Sequence, residues 1–83
     1  MTYRLTLNED ATKTVAAMDA RTHELFVLAA LDLPRDPHLL GRVMQNTGAF
    51  TTRAHILGSM GFIVYDVDDI SQTITVTRII WTG

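Results

Sequence analysis

The chain has 83 residues, no cysteine, a 47% share of hydrophobic residues and a formal net charge of −2. This apolar share is typical of a folded domain, and the length allows one modest core, so we predict a single domain over residues 1–83. The lack of cysteine excludes disulfides and thiolate metal sites, and no apolar run reaches the roughly 18 residues of a membrane span. The N-terminal segment also lacks the apolar stretch of a signal peptide, so we expect a cytoplasmic protein.

The first half of the chain predicts a strand followed by two helices. Residues 2–7 alternate apolar and polar side chains, which is typical of a half-buried strand. Asn8 is a predicted N-cap with two acidic residues behind it, and helical spacing then predicts a first helix over Glu9–Met18. A broad apolar face over Leu25–Leu33 predicts a second helix that Pro34 ends.

The second half predicts a loop and three strands. Residues 34–49 hold both prolines and two glycines, which favours a loop that is either irregular throughout or includes one helical turn near Leu39–Met44. Alternation with a period of two then predicts strands over residues 50–57, 62–67 and 73–81. The predicted order is β-α-α-β-β-β. It is an α+β fold in which an antiparallel sheet carries the helical hairpin on one face and leaves the other face open for function.

Arg53 and His55 form the first candidate site. They lie two residues apart on a predicted strand, so they share a face, and we expect both side chains to be exposed together on the open face. Arg78 on the last strand is a second candidate cation on this sheet. The plainer interpretations are a solvated Arg–His pair and an Arg78 that extends along apolar neighbours or pairs with Asp66.

Three aromatic side chains are candidate binding residues. Phe62 and Trp81 are suited to stack on nucleic acid bases or to fill the groove of a partner protein, and we favour the partner protein. Tyr65 alternates with Ile63 and Val67, so it lies on the face opposite Phe62. It either orients a bound base or packs in the core, and packing is the commoner role.

The polar residues do not predict a metal or a cofactor. His23, His38 and His55 lack any ligand spacing. The glycines do not form a phosphate-binding loop before a helix. We therefore expect neither a bound metal nor a cofactor.

Three stretches resemble the RelE/ParE superfamily of toxins from bacterial type II toxin–antitoxin systems. The opening MTYRLTLNEDA is similar to the first strand and helix start of that family. DLPRDPHLLGR is similar to the end of its second helix and the Asp-Pro loop that follows. LGSMGFIVYDVDDISQTITVTRI is similar to its central hairpin and the valine-rich strand after it. The order and spacing of these stretches cover nearly the whole chain and imply the α+β toxin fold.

The resemblance also implies a function. RelE-type members are ribosome-dependent mRNA endonucleases, and Arg53 and His55 fall where that family has paired basic residues, so they are the expected catalytic pair. Arg78, Tyr65, Phe62 and Trp81 are the expected binding residues. Two positions depart from the family pattern: Phe62 replaces a usual Arg, and the segment over residues 80–83 lacks the usual His and Arg.

The expected partners are a cognate antitoxin, with which the chain would assemble, and the ribosome with its mRNA. Cleavage of this kind needs no metal. Two alternatives remain. One is an inhibitor of DNA gyrase, as in ParE-type members. The other is a member without catalytic activity that binds an antitoxin.

Overall fold

The computed structural model describes residues 2–38, 40–48, 50–59 and 61–81. Two helices and a five-stranded mixed sheet make up these segments, which confirms the predicted α+β class. The strand order across the sheet is β1-β5-β4-β3-β2. The elements in chain order are β1 (Arg4–Leu7), α1 (Glu9–Ala16), α2 (Ala20–Asp32), β2 (Arg42–Asn46), β3 (Thr51–Leu57), β4 (Gly61–Asp68) and β5 (Thr73–Trp81).

The turn from β1 into α1 is fixed by Asn8, as the sequence predicts. Its side-chain oxygen accepts a hydrogen bond from the Ala11 amide at 2.8 Å, which is the N-cap interaction. Its side-chain nitrogen donates to the Thr77 carbonyl at 3.1 Å. The cap therefore ties the start of α1 to the backbone of β5. The helix ends at Ala16, two residues before the predicted end at Met18.

The prediction of a loop throughout residues 34–49 is wrong for the stretch that forms β2. This strand pairs antiparallel with β3, and all five of its residues are exposed. A strand without a buried face shows no apolar alternation, so its sequence carries no signal of period two. Pairing with β3 decides its conformation. The sheet also differs from the predicted antiparallel sheet at its other edge, where β1 runs parallel to β5.

Both helices lie on one face of the sheet, as the α+β prediction requires. The core forms between the helices and that face. Neither helix in the described segments has the length and apolar character that a membrane crossing requires. The opposite face of the sheet is uncovered and carries the candidate site. The buried apolar residues of the core are Ala11, Phe26, Ala29, Leu33, Leu57, Ile63, Tyr65, Val67, Ile74, Val76 and Ile79.

Candidate functional site

The register of the strands places one row of side chains across the uncovered face. Arg78 pairs with Val64, Val64 with Ala54, and Ala54 with Arg42. Paired residues share a face, so this row has an arginine at each end and small apolar residues between them. Three inter-strand spacings separate the two arginine backbones by ~14 Å. Both arginines are exposed.

A shallow trough runs along this row. One cavity of about 660 Å³ is lined by Gly41, Arg42, Met44, Ala54, His55, Ile56 and Phe62. A neighbouring cavity of about 520 Å³ is lined by Asp10, Met44, Phe62, Val64, Thr77, Arg78 and Ile80. Met44 and Phe62 line both cavities, so we treat the two together as the open-face trough. Its surface is mainly apolar, with guanidinium groups on opposite sides.

Arg53 is not on the open face, and the expectation that its guanidinium is exposed is wrong. Its side chain is buried, with 7% of its surface exposed. The guanidinium donates three hydrogen bonds to backbone carbonyls of the loop before β2. Nη2 donates to the His38 oxygen at 2.8 Å and the Gly41 oxygen at 3.2 Å, and Nε donates to the Leu40 oxygen at 3.2 Å. These contacts explain the burial, because a charge is tolerated inside a protein only when it is hydrogen-bonded.

Tyr65 lies beside Arg53 and serves the same loop. It pairs with Arg53 across β3 and β4, and its side chain is fully buried in the core. The hydroxyl donates to the Leu40 oxygen at 2.8 Å and lies 3.2 Å from the Pro37 oxygen. Burial raises the pKa of this phenol above its usual value, while the nearby Arg53 lowers it by a smaller amount. Tyr65 therefore stays neutral and acts as a hydrogen-bond donor.

Of the remaining candidate residues, only some lie in the trough. His55 shares the helix-covered face of β3 with Arg53 and pairs with Ile63, so its side chain points away from Phe62. It is half-buried and borders the trough without sharing its face. Phe62 is 37% exposed, and Arg78 lines the trough on its far side. Trp81 is half-buried and packs against the core. The trough thus brings Phe62 and Arg78 onto one face, has His55 only at its border, and leaves Arg53, Tyr65 and Trp81 outside it.

Arg42 is the trough residue that sequence reasoning missed. It begins β2 and faces the trough opposite Arg78. Residues 34–49 were expected to form a loop, in which no face can be assigned to a side chain. No pattern in the sequence distinguishes Arg42 from the other exposed arginines. Only the pairing of β2 with β3 gives it a direction.

A separate cluster of titratable side chains joins the start of β1 to the turn between β4 and β5. Asp69 accepts a hydrogen bond from the Tyr3 hydroxyl at 2.7 Å and lies 2.6 Å from Nε2 of His38. The Tyr3 and His38 rings meet edge to face. The hydrogen bond from His38, followed by that from Tyr3, lowers the pKa of Asp69 below its ordinary value. The hydrogen bond to Asp69 in turn raises the pKa of the Tyr3 hydroxyl above its ordinary value.

Replacing Asp69 with Asn is expected to make the stability of the fold fall less when the pH is lowered. The pKa of Asp69 is lower in the folded chain, so its ionised form adds stability above the unfolded pKa of about 3.9. That stability is lost as the pH falls through the folded-state pKa. Thermal unfolding at about pH 6 and about pH 3 measures this, and the fall in midpoint should be smaller in Asp69→Asn than in the wild type. An Asp32→Asn control removes an exposed carboxylate elsewhere, and equal falls in all three proteins would contradict the prediction.

The part of the chain that the structure describes contains no cluster of side chains suited to bind a metal. No group of three or more His, Cys, Asp or Glu side chains there is arranged to hold an ion.

No protein-family model matches the chain, and no curated protein sequence does. Solved structures do match it. A chain of the archaeal RelE–RelB complex from Pyrococcus horikoshii OT3 aligns with a TM-score of 0.84 at 18% identity, covering 100% of this chain and 98% of that one. A chain of the RelBE2 toxin–antitoxin complex from Mycobacterium tuberculosis aligns at 0.79 and 18% identity, covering 99% and 100%.

The isolated RelE toxin of E. coli aligns with a TM-score of 0.77 at 16% identity, covering 98% of this chain and 85% of that one. Coverage near the full length in all three cases means that the likeness extends over the whole arrangement of helices and strands. It confirms the fold implied by the three sequence stretches that resemble the toxin family. The chain has the RelE-like toxin fold.

Proposed function

We propose that the chain is the toxin of a type II toxin–antitoxin system and cleaves mRNA without a metal. The observation that carries this proposal is the open-face trough, where Arg42 and Arg78 flank Phe62 and His55 lies at the border. Guanidinium groups bind phosphate oxygens strongly, and an exposed aromatic ring offers a base a stacking surface worth about 1–3 kcal/mol. A single-stranded RNA fits such an arrangement.

The reaction would use the ribose of the RNA itself. The 2′-oxygen attacks the adjacent phosphorus, a new bond forms between them, and the bond from phosphorus to the 5′-oxygen breaks. A base takes the proton of the 2′-hydroxyl, and an acid gives a proton to the leaving oxygen. His55 borders the trough, and an imidazole has the nitrogen atoms to act as either base or acid, so we assign it one of these roles. Arg42 and Arg78 stabilise the charge on the phosphate oxygens.

The sequence predicts Arg53 as the catalytic partner of His55. Its donors contact carbonyl oxygens rather than the trough. In this proposal the phosphate is therefore assigned to the two arginines that line the trough. Arg53 and Tyr65 are assigned to the loop beneath it.

An antitoxin is the proposed partner, and exposed apolar side chains support it. Val27, Leu28 and Leu31 are exposed on the outer side of α2, and Ile56 and Ile80 are exposed on the open face. A domain leaves large apolar side chains together in water mainly where another chain covers them. Two of the three structures compared above are complexes of a toxin with an antitoxin. We propose that the complex forms in the cytoplasm, where the ribosome and its mRNA are the target.

The apolar character of the trough favours a second candidate function. Met44, Ile56, Phe62 and Ile80 are all exposed there, and they outnumber the two arginines. A member that only binds an antitoxin needs this apolar surface and needs no catalytic groups. A gyrase inhibitor of the ParE type would likewise leave His55 without a chemical role.

Loss of the His55 imidazole is the mutation that separates these functions. We expect production of the chain in bacteria without an antitoxin to arrest growth and to produce mRNA fragments with 5′-hydroxyl ends. General acid–base catalysis contributes roughly 100-fold or more to rate, so His55→Ala should relieve the arrest and lower cleavage by a similar factor. The matched control is His23→Ala, which removes an exposed imidazole from α2 and should arrest growth like the wild type.

Other results would identify the alternatives. Arrest with a DNA-damage response and intact mRNA would indicate gyrase as the target. Absence of arrest from a folded, abundant chain would favour the antitoxin-binding module. Arrest that His55→Ala leaves unchanged would remove His55 from the mechanism.

A further inference from the structure

We propose that Arg53 and Tyr65 are positioning residues that fix the start of β2 and thereby set the place of Arg42 in the trough. The inference rests on the proposed function, because it treats Arg42 as a phosphate-binding residue. It changes the role of Arg53 from a contact with RNA to a contact with the chain that presents Arg42. We call Arg53, Tyr65 and the carbonyl oxygens they bind the carbonyl clamp.

The clamp holds the loop from two sides with buried donors. The Arg53 guanidinium binds the oxygens of His38, Leu40 and Gly41, and the Tyr65 hydroxyl binds the Leu40 oxygen a second time. The three carbonyl oxygens thus accept hydrogen bonds from one planar guanidinium group. Arginine has this geometry and lysine does not. Because the donors are buried, water competes poorly for them, and the loop has few alternative positions.

Gly41 transmits this restraint to the next residue. It has a φ of +75°, and a Cβ atom there would lie 2.5 Å from the Ala54 oxygen and 2.9 Å from the Tyr65 hydroxyl. The backbone at Gly41 therefore rests directly on β3 and on the clamp. Arg42 follows immediately, pairs with Ala54 and lines the trough. Its backbone can shift only if the clamp shifts.

The first test needs no RNA and uses Tyr65→Phe, which keeps the ring in the core and removes only the hydroxyl. Amide hydrogen exchange measured by NMR should become about 10-fold faster at Leu40 and Arg42, because the local opening free energy falls. Amides in the middle of β4 and β5 should keep the wild-type rate. Unchanged exchange and an unchanged amide chemical shift at Arg42 would overturn the proposal.

The second test asks whether Arg42 depends on the clamp for binding. The probe is a short single-stranded RNA oligonucleotide, and its affinity is measured by fluorescence anisotropy. Arg42→Ala should lower affinity roughly 10-fold in the wild type, through loss of a charge-assisted contact. In the Tyr65→Phe background the same substitution should lower affinity less than about 3-fold, because the contact is already impaired. Arg78→Ala is the matched control and should have the same effect in both backgrounds.

The two tests distinguish the inference from the proposed function. Equal effects of Arg42→Ala in both backgrounds would overturn positioning, since a clamp that only stabilises the fold leaves the Arg42 contact intact. If the wild type binds no RNA, the proposed function fails, and the exchange rate and chemical shift at Arg42 decide the clamp without it. Faster exchange at Leu40 with an unchanged Arg42 would also overturn the proposal.

Discussion

Replacing Arg53 with Met is expected to lower the free energy of unfolding by about 3 kcal/mol, because it removes a buried donor group that makes three hydrogen bonds to partly buried carbonyl oxygens. Methionine fills similar space but offers no hydrogen-bond donor. The oxygens of His38, Leu40 and Gly41 would each lose their contact with the guanidinium. Urea denaturation followed by circular dichroism measures the change. A loss of this size is a large part of the stability of a small domain.

The matched control is Arg4→Met, which removes an exposed guanidinium from β1. Exposed substitutions usually change stability by less than about 0.5 kcal/mol. If Arg53→Met were equally mild, the guanidinium would not hold the loop, and its burial would need another explanation. The comparison also matters for activity assays. A catalytic effect of an Arg53 variant can be assigned only after its folded fraction is known.

Replacing Gly41 with Ala is expected to cost about 3 kcal/mol, for two separate physical reasons. The φ of +75° is unfavourable for a residue with a Cβ atom, by roughly 1 kcal/mol. The added methyl would also lie 2.5 Å from the Ala54 backbone oxygen, and relief would require moving β2 away from β3. Such a shift would also move Arg42, so we expect weaker RNA binding. Unfolding in urea and oligonucleotide binding measure the two effects.

Gly48 provides a control that isolates the conformational part. It has a φ of +88°, and a Cβ atom there would meet no atom within 4 Å among the described residues beyond its chain neighbours. Gly48→Ala should therefore cost only the roughly 1 kcal/mol of the positive φ. Equal losses at the two glycines would show that the contact with β3 contributes nothing. That result would contradict the close packing on which the start of β2 depends.

The site was harder to predict than the fold because each residue role depends on neighbours distant in the chain. The sequence placed Arg53 and His55 on one strand face, and the register agrees. It did not reveal that this is the helix-covered face, or that the loop before β2 closes over Arg53. Arginine on a strand has the same local pattern whether its partner is a phosphate or a set of carbonyls. The pairing of distant segments makes the difference.

The clearest example is the exchange of roles between Arg53 and Arg42. Arg53 lies on a strand with a clear pattern, and it is buried. Arg42 lies on a strand with five exposed residues, and it lines the trough. Local pattern reports burial on average over a strand. It does not report which individual polar side chain reaches water.

The sequence by itself determined the order and type of most elements, since Asn8, Pro34 and the alternating apolar residues from position 50 onward act through local geometry. It also determined the α+β class, because two consecutive amphipathic helices precede a run of strands with a period of two, and packing the helices on one face of the resulting sheet buries the apolar side of each. Tertiary structure alone decided that β2 exists, that β1 runs parallel to β5, and which arginine faces the open side. These features depend on hydrogen bonds between segments far apart in the chain, and the free energy of such bonds is set by the partner's position in space rather than by adjacent residues.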